Sequence, residues 1–345
     1  MELLTTKHPM LLSIHGKSTM EILPRLIDTA SEFNIATGFI SSESLVELQR
    51  ISSLRNGKLF INLFIGMNYL SGFTSLQYRV LERLSEYLTT NNVGTVYLSP
   101  KALFHGKMYS FTKQDGECLG SIIGSSNLAN FLGVAHSNIE TNVLFGGDDA
   151  ISINKHIKDI IHDIGIEFSK VKPLTNFLPP EKDLLKGHEN VHTVSNAEYN
   201  RFVDKCTGSV IEIPLKAHGK SNLNPYFGQG KVKGRYSPRS WYEVELIIPK
   251  HTPNIDILPD KTDGPFTVIT PNRYAFQCER QGDYSKNLRS SKDLKILGKW
   301  IKGEMENSGI IECGQLVTEE TLKKFGKTKV VLRESENNHW LISLE

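Results

Sequence analysis

Cysteine is scarce. The four present, Cys118, Cys206, Cys278 and Cys313, form no C-x-x-C pair and are too scattered for a zinc site or a disulfide framework, so reduced thiols are expected. Long hydrophobic runs are missing too: none approaches the roughly 18 apolar residues of a spanning helix. The opening Met1-Glu2-Leu3-Leu4-Thr5-Thr6-Lys7 lacks the basic and apolar regions of a secretory signal. A cytoplasmic protein with no membrane partner is the expectation. Charge of one sign is also absent overall, with Lys+Arg 40 against Asp+Glu 38, net +2. There is neither H-E-x-x-H nor a clustered Asp/Glu set, so no metal and no cofactor is called for.

What is present divides at the middle of the 345 residues. The first half alternates β-rich runs with helix-period segments, the pattern of an α/β domain. Strands are expected at 33–40, 59–67, 95–98, 106–111, 121–125 and 138–145, and helices at 42–50, 77–89 and 150–171. The stretch 172–200, with Pro173, Pro179 and Pro180 among polar residues, reads as a linker. Beyond it the texture becomes strands at 209–215, 241–249, 266–270, 274–279, 330–333 and 340–344, with helices near 291–305 and 319–325, which fits a small β-barrel.

The most informative residues are His105-Gly106-Lys107, then Gly124-Ser125-Ser126-Asn127, then Asn138-Ile139-Glu140. Side chains two apart on a strand share a face, so His105 with Lys107, Ser125 with Asn127 and Asn138 with Glu140 are same-side pairs. Their chemistry is complementary: an imidazole attacks or donates a proton, an ammonium and an amide hold phosphate oxygens, and a carboxylate orients the imidazole. Three letters alone mean little. His15-Gly16-Lys17, His156-Ile157-Lys158 and His218-Gly219-Lys220 share the spacing without the two later elements, and His156 reads as an ordinary helical histidine. Gly16-Lys17-Ser18 is no phosphate loop, because Leu11 stands where its first glycine is needed. Tyr109 reads as a packing residue and His136 as a loop residue.

This constellation resembles the phospholipase D superfamily, whose motif is H-x-K followed by G-S-x-N and an acid. The Asp usual after the Lys is replaced here by Thr112. The resemblance implies His105, Lys107, Ser125, Asn127 and Glu140 as the catalytic set, a covalent phosphohistidine, and Glu140 bonded to the imidazole. Because one credible copy of a motif used in pairs is present, it also implies a homodimer.

Lipids and nucleic acids both offer phosphodiesters, so the second half must select the substrate. Between Lys216 and Ser240 stand six basic residues, Lys216, Lys220, Lys231, Lys233, Arg235 and Arg239, and no acid, mixed with Asn222, Asn224, aromatic residues and glycines. Such a mixture suits phosphate contact and base readout, although Lys-rich solvated loops are also common. A second run holds Arg273, Gln277, Gln281, Tyr284 and Lys286, and the two are read as arms projecting from the barrel to grip double-stranded DNA. Arg235, Arg239 and Arg273 are the leading candidates to read guanine.

This half resembles B3-like DNA-binding domains, and the pairing resembles the NgoFVII-type restriction endonucleases. The expected fold is an α/β phospholipase D-like N-terminal domain, a mixed sheet flanked by helices, plus a C-terminal B3-like β-barrel (pseudobarrel). The expected division is 1–175 for nuclease and dimerisation, 176–200 for the linker and 201–345 for DNA binding. The resemblance implies metal-independent cleavage at or near a short GC-rich site, in some systems with a separate ATP-dependent partner. The alternatives are a lipid phosphodiesterase of the same superfamily and a DNA-binding regulator that keeps the nuclease-like domain for dimerisation.

Overall fold

Alternating apolar residues build an eight-stranded sheet in the first half, and the helices between them cover both of its faces. The structure is a computed structural model and describes residues 1–6, 16–135, 139–228, 231–232 and 235–345. Its packing separates two units, Met1–Pro180 with Gly230–Arg239, and Glu181–Gln229 with Ser240–Glu345.

The first unit runs β1 (Glu2–Thr5), α1 (Thr19–Thr29), β2 (Glu32–Thr37), α2 (Ser42–Leu54), β3 (Phe60–Ile65), α3 (Asn68–Ser71), α4 (Ser75–Thr90), β4 (Gly94–Leu98), β5 (Lys107–Thr112), β6 (Cys118–Gly124), α5 (Leu128–Phe131), β7 (Thr141–Phe145), α6 (Gly147–Ile164) and β8 (Ile166–Glu167). The sheet order is β1-β7-β6-β5-β2-β3-β4-β8. Strands β2, β3 and β4 are parallel, and the other pairs are antiparallel. Helix starts follow local chemistry. Ser41 and Thr74 accept from the backbone N–H of Ser44 and Gln77 at 3.1 and 3.2 Å, and the side chains of Ser44 and Gln77 bond back to the cap residues' N–H.

Period two sorts the core. Phe33 stacks on Phe111 at 4.3 Å on one face of the sheet, with Phe131 of α5 at 6.4 Å. Ala36, Phe64 and Met108 face the other way, against Ile157 of α6. Each fully buried Phe contributes roughly 2–3 kcal/mol of apolar burial. The helix expected to reach 171 stops at Ile164, where Gly165 turns extended (ψ 135°) and Ile166–Glu167 joins the sheet edge beside β4.

The second unit contains β9 (His192–Thr193), α7 (Asn196–Asp204) and β10 (Val210–Pro214). The chain then contributes β11 (Lys231–Val232) and β12 (Arg235–Tyr236) to the first unit. It returns for β13 (Leu246–Ile247), β14 (Phe266–Ile269), β15 (Tyr274–Gln281), β16 (Asn287–Ser290), α8 (Ile296–Asn307), α9 (Glu319–Phe325), β17 (Lys329–Glu334) and β18 (His339–Leu344). The order β10-β17-β18-β14-β15-β16-β13 brings its two ends, β10 and β13, beside one another, a nearly closed barrel of the B3-like kind. Residues 181–200 are built into this unit: β9 pairs with β15, and Leu185 and Val194 are buried.

The strand expected over 241–249 shrinks to Leu246–Ile247. Its apolar residues serve a helix rather than a ladder. Trp241 is buried, its indole N–H donates to Gln315 O at 2.9 Å, and its carbonyl accepts from the buried Lys302 of α8. Gly298 of the same helix lies so close that a Cβ would fall 1.5 Å from Tyr242 O. All four cysteines are free.

Candidate active site

Antiparallel pairing puts the start of β5, the end of β6 and the start of β7 at one end of the sheet. Met108 pairs with Ile123, and Gly124 with Asn142, so Lys107, Ser125 and Thr141 all lie at this rim. Tight packing explains the motif glycine: a Cβ on Gly124 would lie 2.1 Å from Asn142 Oδ1 and 2.5 Å from Thr141 O.

His105 is exposed just before β5, its ring edge-on to Phe39 at 5.7 Å. Lys107 Nζ lies 3.2 Å from His105 Nε2 and donates to His105 O at 3.0 Å. Partial burial pulls the Lys107 ammonium below its ordinary pKa, against the opposing charge of Glu140. An imidazole and an ammonium side by side form a concentrated donor pair for an anionic oxygen. Tyr109 packs, as expected: it is fully buried, stacks on Phe131 at 3.5 Å and donates to Ser126 O at 2.7 Å, and burial pushes its phenol far up.

Glu140, 6% exposed, accepts from Ser125 Oγ on one carboxylate oxygen and from Asn130 Nδ2 on the other at 2.6 Å. Its backbone is clamped to β1's end: Thr6 Oγ1 accepts from Glu140 N at 3.0 Å, and Thr6 N donates to Glu140 O at 3.0 Å. Among the described residues it makes no hydrogen bond to His105 of its own chain. Asn127 begins α5, and its side-chain Oδ1 is buried without a partner among the described residues. Asn142, 2% exposed, bridges Thr19 and Ser126 and so fixes the loop that carries Ser125 and Asn127. Sequence reasoning missed Asn130, Thr6 and Asn142. Asn138 and His136 lie outside the described residues.

Thr112, standing where an Asp is usual, donates to Glu32 at 3.0 Å. Burial pushes Glu32 up, but Lys158 and Thr112 outweigh it and hold the carboxyl below its ordinary value. The other His-x-Lys copies lead elsewhere: Lys17 pairs with Glu2 at 2.8 Å, and His156 is an exposed residue of α6. Among the described residues no three His, Cys, Asp or Glu side chains gather as a metal would require, and no helix is long and apolar enough to cross a membrane.

Residues 18–172 match the family model of the NgoFVII restriction endonuclease N-terminal PLD domain, and residues 202–336 that of the NgoFVII C-terminal B3-like DNA-binding domain. The chain belongs to the NgoFVII restriction endonuclease family. By those models its two parts are a PLD domain of restriction-endonuclease type and a B3-like domain of DNA-binding type. No curated protein matches it. Among solved structures, the phospholipase D family member Nuc from Salmonella typhimurium aligns at 15% identity over 48% of this chain and 97% of its own, with a TM-score of 0.32. The archaeal chromatin protein TrmBL2 aligns at 14% identity over 42% of this chain and 49% of its own, with a TM-score of 0.28. The chain thus spans about half the length of TrmBL2. Neither likeness adds to the assignment.

In the B3-like unit of this NgoFVII-family chain the basic stretch does not stay together. Lys216 is half-buried, and His218 and Lys220 are exposed. Asn222 and Asn224 are fully buried. Asn224 Nδ2 donates to His218 O and Val317 O at 2.8 Å each, and its Oδ1 accepts from Val317 N at 3.0 Å. Asn222 takes a left-handed turn (φ +59°) and accepts from Lys216 N at 3.2 Å.

Tyr236 and Arg239 pack within the first unit. Tyr236 N donates to Asp28, its hydroxyl donates to the buried Glu47, and Arg50 bonds both Glu47 and Ser237 O. Burial pushes the Glu47 carboxyl up despite Arg50. Lys233 lies outside the described residues, as do the side chains of Lys231 and Arg235.

The second expected arm is mostly an inner strand. β15 is paired on both sides, by β14 and β16, and Gln277 and Gln281 are half-buried on it. Arg273 sits in the preceding turn (φ +66°) and donates to Val194 O at 3.3 Å. Only the tip between β15 and β16 stands out, with Tyr284 95% exposed and Lys286 exposed.

Proposed function

We propose that this chain is a sequence-specific restriction endonuclease that hydrolyses double-stranded DNA at or near a short GC-rich site, without a metal, through a phosphohistidine formed in a dimeric site. The observation that carries the reading is the exposed His105 imidazole with Lys107 Nζ 3.2 Å from it, at the rim that also holds Ser125, Asn127 and Glu140.

A His105 nitrogen attacks phosphorus, and the P–N bond forms as the P–O bond to the leaving strand breaks. The leaving oxygen takes its proton from His105 of the partner subunit. Water then attacks phosphorus, returns a proton to His105 of the partner subunit, and the P–N bond breaks. Lys107, Ser125 and Asn127 offset charge on the phosphate oxygens as it develops, a task that elsewhere falls to metal ions. Glu140, already bonded to Ser125, orients the loop and balances the local positive charge.

The B3-like unit supplies the site. Lys220, Tyr284 and Lys286, exposed members of the expected set among the described residues, lead the candidate contacts, with Lys216, Arg273, Gln277 and Gln281 behind them. A separate ATP-dependent partner fits chains of this architecture that bind DNA without cutting briskly. The test is purified protein with plasmids of varied sequence in EDTA, beside His105→Ala and a sedimentation measurement of the DNA-bound state. Cleavage by the wild type, its loss in the variant with specific binding kept, and a dimer on DNA are the expected results. Cleavage by His105→Ala, or a monomer active on its target, overturns the reading.

A further inference from the structure

We infer that Asn130 is a positioning residue of the cleavage site, acting through Glu140; the inference rests on the assignment of Glu140 proposed above. Asn130 lies on the four-residue helix α5, immediately after the Gly124-Ser125-Ser126-Asn127 loop, and its Nδ2 donates to Glu140 Oε1 at 2.6 Å. The opposite oxygen, Oε2, accepts from Ser125 Oγ. The carboxylate is therefore held at both ends by two donors from one short segment, while Thr6 clamps its backbone from β1.

A carboxylate 6% exposed with each oxygen fixed has one orientation. A carboxylate held only by Ser125 would rotate about its terminal torsion, which is broad for Glu. Losing that orientation moves the negative charge that acts on Lys107, and displacements of about an ångström in such sites cost on the order of 100-fold in rate. Titratable groups that sense the charge of Glu140 are Lys107 and the buried Tyr109, both on β5; Ser125, Asn130 and Thr6 are the neutral groups bonded to it.

Two substitutions separate positioning from mere structure. Asn130→Ala removes the donor, and cleavage falls roughly 10- to 100-fold in kcat with KM for DNA little changed. Asn130→Asp is isosteric and makes the outcome depend on pH. While the two carboxyls share one proton, the Asp hydroxyl donates into Glu140 as the amide does; once that proton leaves, two like charges face each other and the bond is lost.

The experiment is single-turnover cleavage from about pH 5.5 to 9 by full-length wild type, N130A, N130D and E140Q, with melting and DNA binding recorded for each. The N130D to wild-type rate ratio should fall steeply as pH rises, while the N130A ratio stays low without that slope. Rates at wild-type level in both Asn130 variants, or ratios flat with pH in both, overturn the inference. If E140Q abolishes cleavage while the Asn130 variants cleave normally, Glu140 stands and Asn130 alone falls. An E140Q enzyme as fast as wild type removes both.

Discussion

Around His105 the polar side chains sit at strand ends, with His105 and Ser125 open to solvent; in the barrel unit Asn222, Asn224 and Arg280 are turned inward and bonded to backbone. Arg280 donates to Ser285 O, Ile255 O and Leu258 O, a guanidinium tying three loop carbonyls together. The two regions use similar residue types for opposite ends. At the sheet rim His105 and Ser125 stay exposed, available to the substrate that the proposed reading requires. In the barrel they satisfy loops that lack a ladder, because an unpaired buried carbonyl or N–H costs about 1–3 kcal/mol.

The sharpest way to break this contrast is to remove one residue from each region. His105→Ala should lower cleavage by about 10⁴-fold or more, since it deletes the proposed nucleophile, while leaving the melting temperature within about 1–2 °C. Asn224→Ala should do the reverse. It strands the carbonyl and N–H of Val317 in the interior and releases His218 O, costing about 3 kcal/mol, or a melting temperature lower by about 10 °C for a unit of this size. Melting curves and cleavage rates on both variants decide it. An Asn224→Ala protein as stable as wild type, with weakened DNA binding, would return that residue to the DNA-facing set.

The same contrast explains what the sequence makes legible. His105, Lys107, Ser125 and Glu140 could be placed at one rim because side-chain period and antiparallel return are local rules. Asn130 was invisible because a single helical turn, not a strand, carries it to Glu140. Thr6 was invisible because 134 positions separate it from its partner. The barrel amides were harder still. An Asn beside lysines and glycines looks like a DNA contact whichever way it faces, and burial of Asn224 is decided by Val317, 93 positions away. Likewise Trp241, Tyr242 and Val244 lie against α8, which hydropathy alone cannot distinguish from a strand.

A third strut sharpens the comparison through pH. Burial pushes the Asp293 carboxyl up, yet the bond from His188 and the charge of Lys295 outweigh it and hold the group well below the usual carboxylate range. The folded state therefore binds this proton more weakly than the unfolded chain. Its contribution is complete above the ordinary Asp pKa and is lost as pH falls from there toward the depressed folded value. Asp293→Asn should cost about 2 kcal/mol at pH 7 and progressively less below about pH 4, so wild-type and variant melting temperatures converge in acid. Parallel curves down to pH 3 would mean that the carboxylate is not the strut.

The smallest effects belong to the exposed cations, where the barrel does meet solvent. Lys220 and Lys286 make no ion pair among the described residues and stand clear of the core. If each touches a phosphate, Lys→Ala releases one fewer counterion, and the slope of log affinity against log salt becomes shallower by about 0.9 per lysine, with the sequence preference intact. Fluorescence anisotropy in the His105→Ala background, between about 50 and 200 mM salt, reads this without cleavage. A lysine that alters which sequence is bound, with the slope unchanged, reads a base edge instead. One that alters neither is a solvated surface residue, and the DNA path then runs over another side of the barrel.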